Sequence, residues 1–209
     1  MENIMNVVQI LQVWLASIVL TLFPPVNVHP NNIDAQQEYV IHVNEVVKDI
    51  YDIVYDPSYA PWFSGNRARA HDAALATIVA AQESGGFDPL VESGVKRGDK
   101  GASWCLMAMN IGRGKTLEGW TGPELIADRK KCLLSGIKAI KRSMNACRGY
   151  GMLSGLSAYD TGHCIKDESI SVRRVSRAVW LVNRKVPTDV QIFAEINNNS
   201  ETVKIADNL

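Results

Sequence analysis

Between His71 and Ser84 the chain reads HDAALATIVAAQES, and Gly85 and Gly86 follow at once. Ala74, Leu75, Ile78, Val79 and Gln82 fall at helical spacing, and polar positions are few. A helix that is small and apolar on most sides has to be buried, with other elements packed around it. The glycine pair supplies its stop, because glycine enters the left-handed region at no steric cost. Glu83 therefore lies in the last turn. The negative end of the helix dipole disfavours its ionised form, and so does desolvation. Both raise its pKa. A carboxylic acid kept protonated near neutral pH can protonate a leaving sugar oxygen. An ordinary solvated glutamate at a helix end fits the same pattern.

The chain has 209 residues, enough for one well-cored domain with extensions. Few segments alternate with the period of a strand, so the expected fold is mainly α. The zero formal charge conceals a division. Residues 1–65 carry seven acidic and one basic residue, a net −6. Residues 66–187 carry eleven acidic and twenty basic, a net +9. Residues 188–209 carry four acidic and one basic, a net −3. A basic domain attracts polyanions, although scattered solubilising charge gives the same count. No basic run exceeds three residues and no aromatics are interleaved with them, so nucleic acid is not the expected partner.

Four regions are expected. Residues 1–30 contain the apolar stretch Val7 to Phe23, broken by Gln9, Gln12, Ser17 and Thr21. It is at the short limit for spanning a bilayer. MENIMN ahead of it has no basic residue, and no A-x-A-like site follows before Pro24 and Pro25. It is read first as a membrane anchor or atypical signal, with membrane contact through Val7–Phe23, and next as a buried or oligomer-forming helix. Residues 31–65 hold a second helix, Asp34 to Tyr55, with Asp34 and Gln37 as a capping box. Its stripe of Tyr39, Val40, Val43, Val46, Val47, Ile50, Tyr51 and Val54 is expected to cover the next domain, with the acidic face in solvent. Residues 66–187 form that main domain. Within it Thr121 to Glu124 starts a helix with Pro123 in its first turn, and Leu133, Ile137, Ile140 and Met144 share a helix face. A further helix is expected over Ser169 to Asn183. Residues 188–209 read as a polar tail.

Three blocks in the 66–187 region resemble a known family. ESGGFDP, from Glu83 to Pro89, is similar to the E-S-G-x-N-P motif of the lysozyme-like lytic transglycosylases. GDKGASWCLMAMN, from Gly98 to Asn110, resembles the G-D-x-G-x-x-G-L-M-Q-x-N segment of goose-type lysozymes and their transglycosylase relatives. LSAYDTGHC, from Leu156 to Cys164, resembles the later A-Y-N-x-G motif. The blocks occur in the family's order and at about its spacing. The resemblance implies a lysozyme-like helical domain that cuts the β-1,4 bond between N-acetylmuramic acid and N-acetylglucosamine in peptidoglycan, with no cofactor.

In that family the glutamate, here Glu83, is the acid and base. Ser84 matches the serine that orients it. Asp99 matches the aspartate of the goose-type branch and is equally a turn residue between glycines. Tyr159 would hydrogen-bond near Glu83 or the sugar, or pack as a core tyrosine. Trp104 and Met107 are expected at the substrate, although Trp104 suits packing as well. The chain departs from the pattern at Cys105, Ala108 and Asp160, where the family has glycine, glutamine and asparagine. Losing the glutamine removes a polar group from the sugar cleft. A non-catalytic wall-binding or virion subunit with the same fold is therefore the alternative from another class. The compartment expected is a bacterial envelope or a phage particle.

Cys105, Cys132, Cys147 and Cys164 allow three disulfide connectivities, or four buried thiols. The pair expected is Cys147–Cys164, which would tie the end of the central helix to the segment after Tyr159. Cys105–Cys132 is what remains. No C-x-x-C or H-E-x-x-H is present, so no metal site is expected. GRGKT at 112–116 has the closing residues of a phosphate-binding loop. That loop needs glycine at 109, and this chain has Met109.

Overall fold

Helix α4, Ala68–Ser84, is buried along almost its whole length. Alanine at positions 70, 73, 74, 76, 80 and 81 presents little side-chain bulk, and Leu75, Ile78 and Val79 fill the gaps around it. The computed structural model describes residues 7–150 and 152–164. Packed around α4 are α1 (Val7–Leu22), α3 (Ile33–Tyr55) and α7 (Arg129–Ala146). Helix α8 (Met152–Thr161) packs on α7, as does the short α6 (Gly122–Ala127). One-turn helices α2 (Pro25–Val28) and α5 (Pro89–Glu92) complete the α-helices among the described residues, and Asp99–Gly101 and Arg148–Tyr150 form short 3-10 turns. The protein is mainly α.

A two-stranded antiparallel hairpin is the exception. β1 (Ser103–Trp104) pairs with β2 (Met109–Asn110), with Ser103 opposite Asn110 and Trp104 opposite Met109. Leu106 and Met107 in its turn are fully buried. α7 admits them closely because residue 136 is glycine. A Cβ there would stand 2.4 Å from Met107 Cγ.

α3 buries Tyr39, Val43, Val46, Val47, Ile50, Tyr51 and Val54, as its stripe requires, while Val40 is half-buried. Two details differ from the expectation. The cap is Asn32, whose side chain accepts from Ala35 N at 3.0 Å, because the helix starts at Ile33. The acidic face is only partly left to solvent: Asp34, Glu38 and Glu45 are exposed, but Asp49 and Asp52 are half-buried in ion pairs. Arg129 of α7 reaches Asp49 at 3.2 Å and also pairs with Glu92, and Lys130 reaches Asp52 at 3.1 Å. These pairs lock α3 to α7 and α5.

The loop from Asp56 to Gly65 is fastened by a group with no sequence signature. Asp72 of α4 is fully buried. It accepts from Tyr59 Oη and Trp62 N, both at 2.8 Å, and from Phe63 N at 3.3 Å. Burial raises its pKa to about 6 against the pull of those donors.

α6 begins at Thr121 as expected, with Glu124 accepting from Thr121 N at 2.8 Å. Asp128 then opens a separate helix, α7, by accepting from Lys131 N. Leu133, Ile137 and Ile140 are buried on it, and Met144 is half-buried. The cysteines form Cys105–Cys132 and Cys147–Cys164, and no described cysteine is free. The first ties the hairpin to α7. The second closes α8 onto the end of α7. The expected helix over Ser169 to Asn183 and the tail from Thr188 lie outside the described residues.

α1 bears on the expectation of a membrane segment. Leu11, Leu15, Ala16 and Val19 are buried where α1 packs on α3 and α4, while Val13, Ser17 and Thr21 are exposed. Among the described residues, no helix is long and apolar enough to cross a membrane. Deleting residues 1–30 should therefore uncover apolar surface on α3 and α4. Each lost Leu or Val contact surface is worth roughly 1.5–3 kcal/mol. The truncated chain is expected to unfold at a clearly lower urea concentration than the full chain. An unchanged midpoint would remove α1 from the core.

Candidate active site

The end of α4 is built by its own hydrogen bonds. Gly85 takes a left-handed conformation at φ 67°, and its N–H donates to Ala81 O. Ser84 is buried. Its hydroxyl donates to Ala80 O at 2.6 Å and accepts from Phe87 N at 2.9 Å. Tyr39 of α3 donates to Gly86 O at 2.7 Å. Phe87 is itself fully buried. The turn after the helix is thus fixed from within, and Glu83 keeps one orientation of its backbone. Ser84 braces this turn and also lines the cleft described next.

Glu83 lines a cleft of about 530 Å³. Two more carboxylates line it: Asp99, ahead of the hairpin, and Asp160, near the end of α8. Burial raises the Glu83 pKa first, and the negative charges of Asp160 and Asp99 raise it further, to about 7. This shift keeps the Glu83 carboxyl available as a proton donor closer to neutral pH than an ordinary glutamate.

Asp99 is placed by the hairpin. It accepts from Ser103 Oγ at 2.5 Å and from Asn110 Nδ2 at 3.1 Å. Those two residues are the facing pair of β1 and β2. Asp99 and Lys100 both sit at positive φ, 49° and 55°. Such conformations are uncommon outside glycine, and asparagine and aspartate tolerate them best. The turn carries Asp99 into the cleft despite that cost.

Tyr159 lines the same cleft, and its hydroxyl donates to Met107 O at 2.5 Å. Burial, then the charges of Glu83 and Asp160, hold its pKa far above the ordinary tyrosine range. It stays a neutral donor. Met107 contributes only its carbonyl here, because its side chain is fully buried against Gly136. Trp104 is outside the cleft lining. Its indole N–H donates to Gly112 O at 2.7 Å, and Gly122 packs on its ring so closely that a Cβ would lie 2.2 Å from it. The ring is packed, as the second of its two readings has it. Ala108 does line the cleft, at φ 45°.

Glu83, Asp99 and Tyr159, singled out in the sequence, all line this one cavity. The sequence assigns no role to Asp160, Ser103, Asn110 or Arg97, all of which line it. Asp160 had a signal, since it stands where the resembling family has a neutral amide. Among the described residues, no group of three or more His, Cys, Asp or Glu is arranged to hold a metal ion.

Fold and site together define a mainly helical protein with a cleft ringed by three carboxylates, one of them poised to titrate near neutrality. Comparison with known proteins found no matching family model, curated protein or solved structure.

A raised folded-state pKa has a consequence for stability. Between the ordinary glutamate value and about 7, the folded protein binds more protons at Glu83 than the unfolded chain does. Stability from this group is present at low pH and is lost as pH rises through about 7. Glu83→Gln removes the cost of the buried negative charge. The variant should gain roughly 1–3 kcal/mol over the wild type at pH 8 and nothing at pH 4. Urea unfolding of both proteins at the two pH values checks this. An equal difference at both would mean that Glu83 titrates normally.

Proposed function

We propose that this protein cleaves peptidoglycan as a lytic transglycosylase, with Glu83 as its acid and base. The observation that carries the reading is Glu83 in an open cleft beside two other carboxylates and the neutral Tyr159 hydroxyl, with its pKa raised to about 7. The three sequence blocks that resemble the lysozyme-like family supply the substrate. All three contribute cleft residues: Glu83 from the first, Asp99 and Ala108 from the second, Tyr159 from the third.

In this reading the protonated carboxyl of Glu83 donates to the oxygen between N-acetylmuramic acid and N-acetylglucosamine. The bond from muramic C1 to that oxygen breaks, and the N-acetylglucosamine end leaves as an alcohol. Glu83, now a carboxylate, takes the proton of the muramic 6-hydroxyl as that oxygen bonds to C1. The product is a 1,6-anhydro ring, the proton returns to Glu83, and no second carboxylate is needed. Tyr159 donates to Met107 O and so is a positioning residue for the hairpin wall, not a proton carrier.

Asp99 favours a second reading. Its carboxylate is fixed by Ser103 and Asn110 in the same cleft as Glu83, where it could activate a water. The reaction is then hydrolysis, as in a goose-type muramidase. A non-catalytic wall-binding or virion subunit is the weaker choice, because Glu83 faces an open cleft instead of being capped. The two disulfides support an oxidising compartment, a bacterial envelope or a phage particle.

The test is digestion of purified peptidoglycan followed by mass spectrometry of the fragments. Anhydro ends are expected, each lighter by one water than the reducing ends that hydrolysis leaves. Glu83→Gln should lower the rate about 100-fold or more while the protein stays folded. Cleavage at the wild-type rate by this variant would remove Glu83 from the chemistry. Reducing ends would select the Asp99 route.

A further inference from the structure

The cleft has a basic wall opposite in sign to its three carboxylates. Lys96 and Arg97 both line it, from the segment between α5 and the hairpin. Their situations differ. Lys96 is already engaged, with Nζ 3.2 Å from Asp88 Oδ2. Arg97 forms no ion pair among the described residues, although Glu83, Asp99 and Asp160 line the same cavity. Its guanidinium instead lies over the Trp104 ring, 4.2 Å from the centroid.

That ring is an unusually firm support. The indole N–H is bonded to Gly112 O, and the Gly122 backbone packs on the ring where no Cβ could fit. Trp104 also belongs to β1, whose neighbour Cys105 is bonded to Cys132 on α7. An arginine stacked on such a platform loses little side-chain freedom when it takes up a ligand. Its planar fork of N–H donors remains available at the edge of the stack. The acceptor that matches the fork is a carboxylate, taken by two parallel hydrogen bonds.

We propose that Arg97, held on Trp104, is the specificity-determining residue that anchors a carboxylate of the bound glycan strand. The inference rests on the peptidoglycan reading and deepens it. The bond being cut carries no charge, so selection for wall glycan over uncharged chitin-like glycan needs a feature of this kind. Peptidoglycan offers carboxylates from two sources, the stem peptide and the lactyl group that the removal of the peptide exposes. Both are the same chemistry to a guanidinium. Arg97 also explains how a cleft ringed by carboxylates admits an anionic polymer. The cation meets the strand's acid at one wall, while the glycosidic oxygen is delivered to Glu83 at the other.

The test uses the full chain and reads binding separately from cleavage. Sedimentation with purified peptidoglycan sacculi measures the dissociation constant for the wild type, Arg97→Gln and Arg97→Lys. Loss of a charge-assisted, two-pronged contact predicts about tenfold weaker binding for Arg97→Gln. Arg97→Lys keeps the charge without the fork and should fall between. Amidating the wall carboxylates with carbodiimide should weaken wild-type binding to the level of Arg97→Gln and leave that variant unchanged. Strands stripped of stem peptides tell the sources apart: retained Arg97-dependence shows that the exposed lactyl carboxylate serves as an acceptor, and lost dependence assigns the stem peptide alone. Uncharged chitooligosaccharide should bind all three proteins equally. The proposal is overturned if Arg97→Gln binds sacculi like the wild type, if it weakens chitooligosaccharide binding equally, or if the wild type does not bind the wall. Arg97-dependent binding without any bond cleavage would sink the enzymatic reading and leave this one standing.

Discussion

A helix buried on nearly every side leaves only its ends for chemistry, and α4 is such a helix. Its alanines let α1, α3 and α7 approach closely, and its apolar side chains supply much of the shared core. Gly85 ends it in the left-handed conformation, and Ser84, Phe87 and Tyr39 fasten the turn that follows. Glu83 is thereby held where the core meets the cleft. Its position follows from packing, and its raised pKa follows from that position. Burial is the largest cause, and the two neighbouring carboxylates add to it.

The other parts of the cleft are brought to this fixed point by separate devices. The hairpin is bound to α7 by Cys105–Cys132 and by Met107 set against Gly136. Its facing pair, Ser103 and Asn110, then aims Asp99. α8 lies close to α7 because residue 155 is glycine, where a Cβ would stand 2.7 Å from Met144 Cα. The bond from Tyr159 to Met107 O joins α8 to the hairpin. Two disulfides and one part-buried hydrogen bond therefore connect the hairpin, α7 and α8.

Much of this was legible in the sequence wherever the cause was local. The α4 stop needs only two glycines, the α3 and α7 faces need only helical spacing, and the pairing of the cysteines agrees with the expectation. Features that depend on contacts between distant segments were not legible. Asp72 sits on an apolar helix with nothing nearby to announce that the loop carrying Tyr59, Trp62 and Phe63 would bring it three donors. The burial of α1 could not be told from a membrane segment, because both need the same apolar residues. Asp160 was visible as a departure from a neutral amide, but its effect on Glu83 needs the packing of α8. Trp104 was ambiguous because stacking on a sugar and stacking under Arg97 ask the same of an indole.

The proposed chemistry turns on Glu83 serving as an acid at neutral pH. Carbon-13 detection of the side-chain carboxyl, assigned by its absence in Glu83→Gln, follows its titration directly. The expected midpoint is about 7, moving downward in Asp160→Asn as one of the two neighbouring charges is removed. A midpoint at the ordinary glutamate value, unmoved by that substitution, would contradict that role.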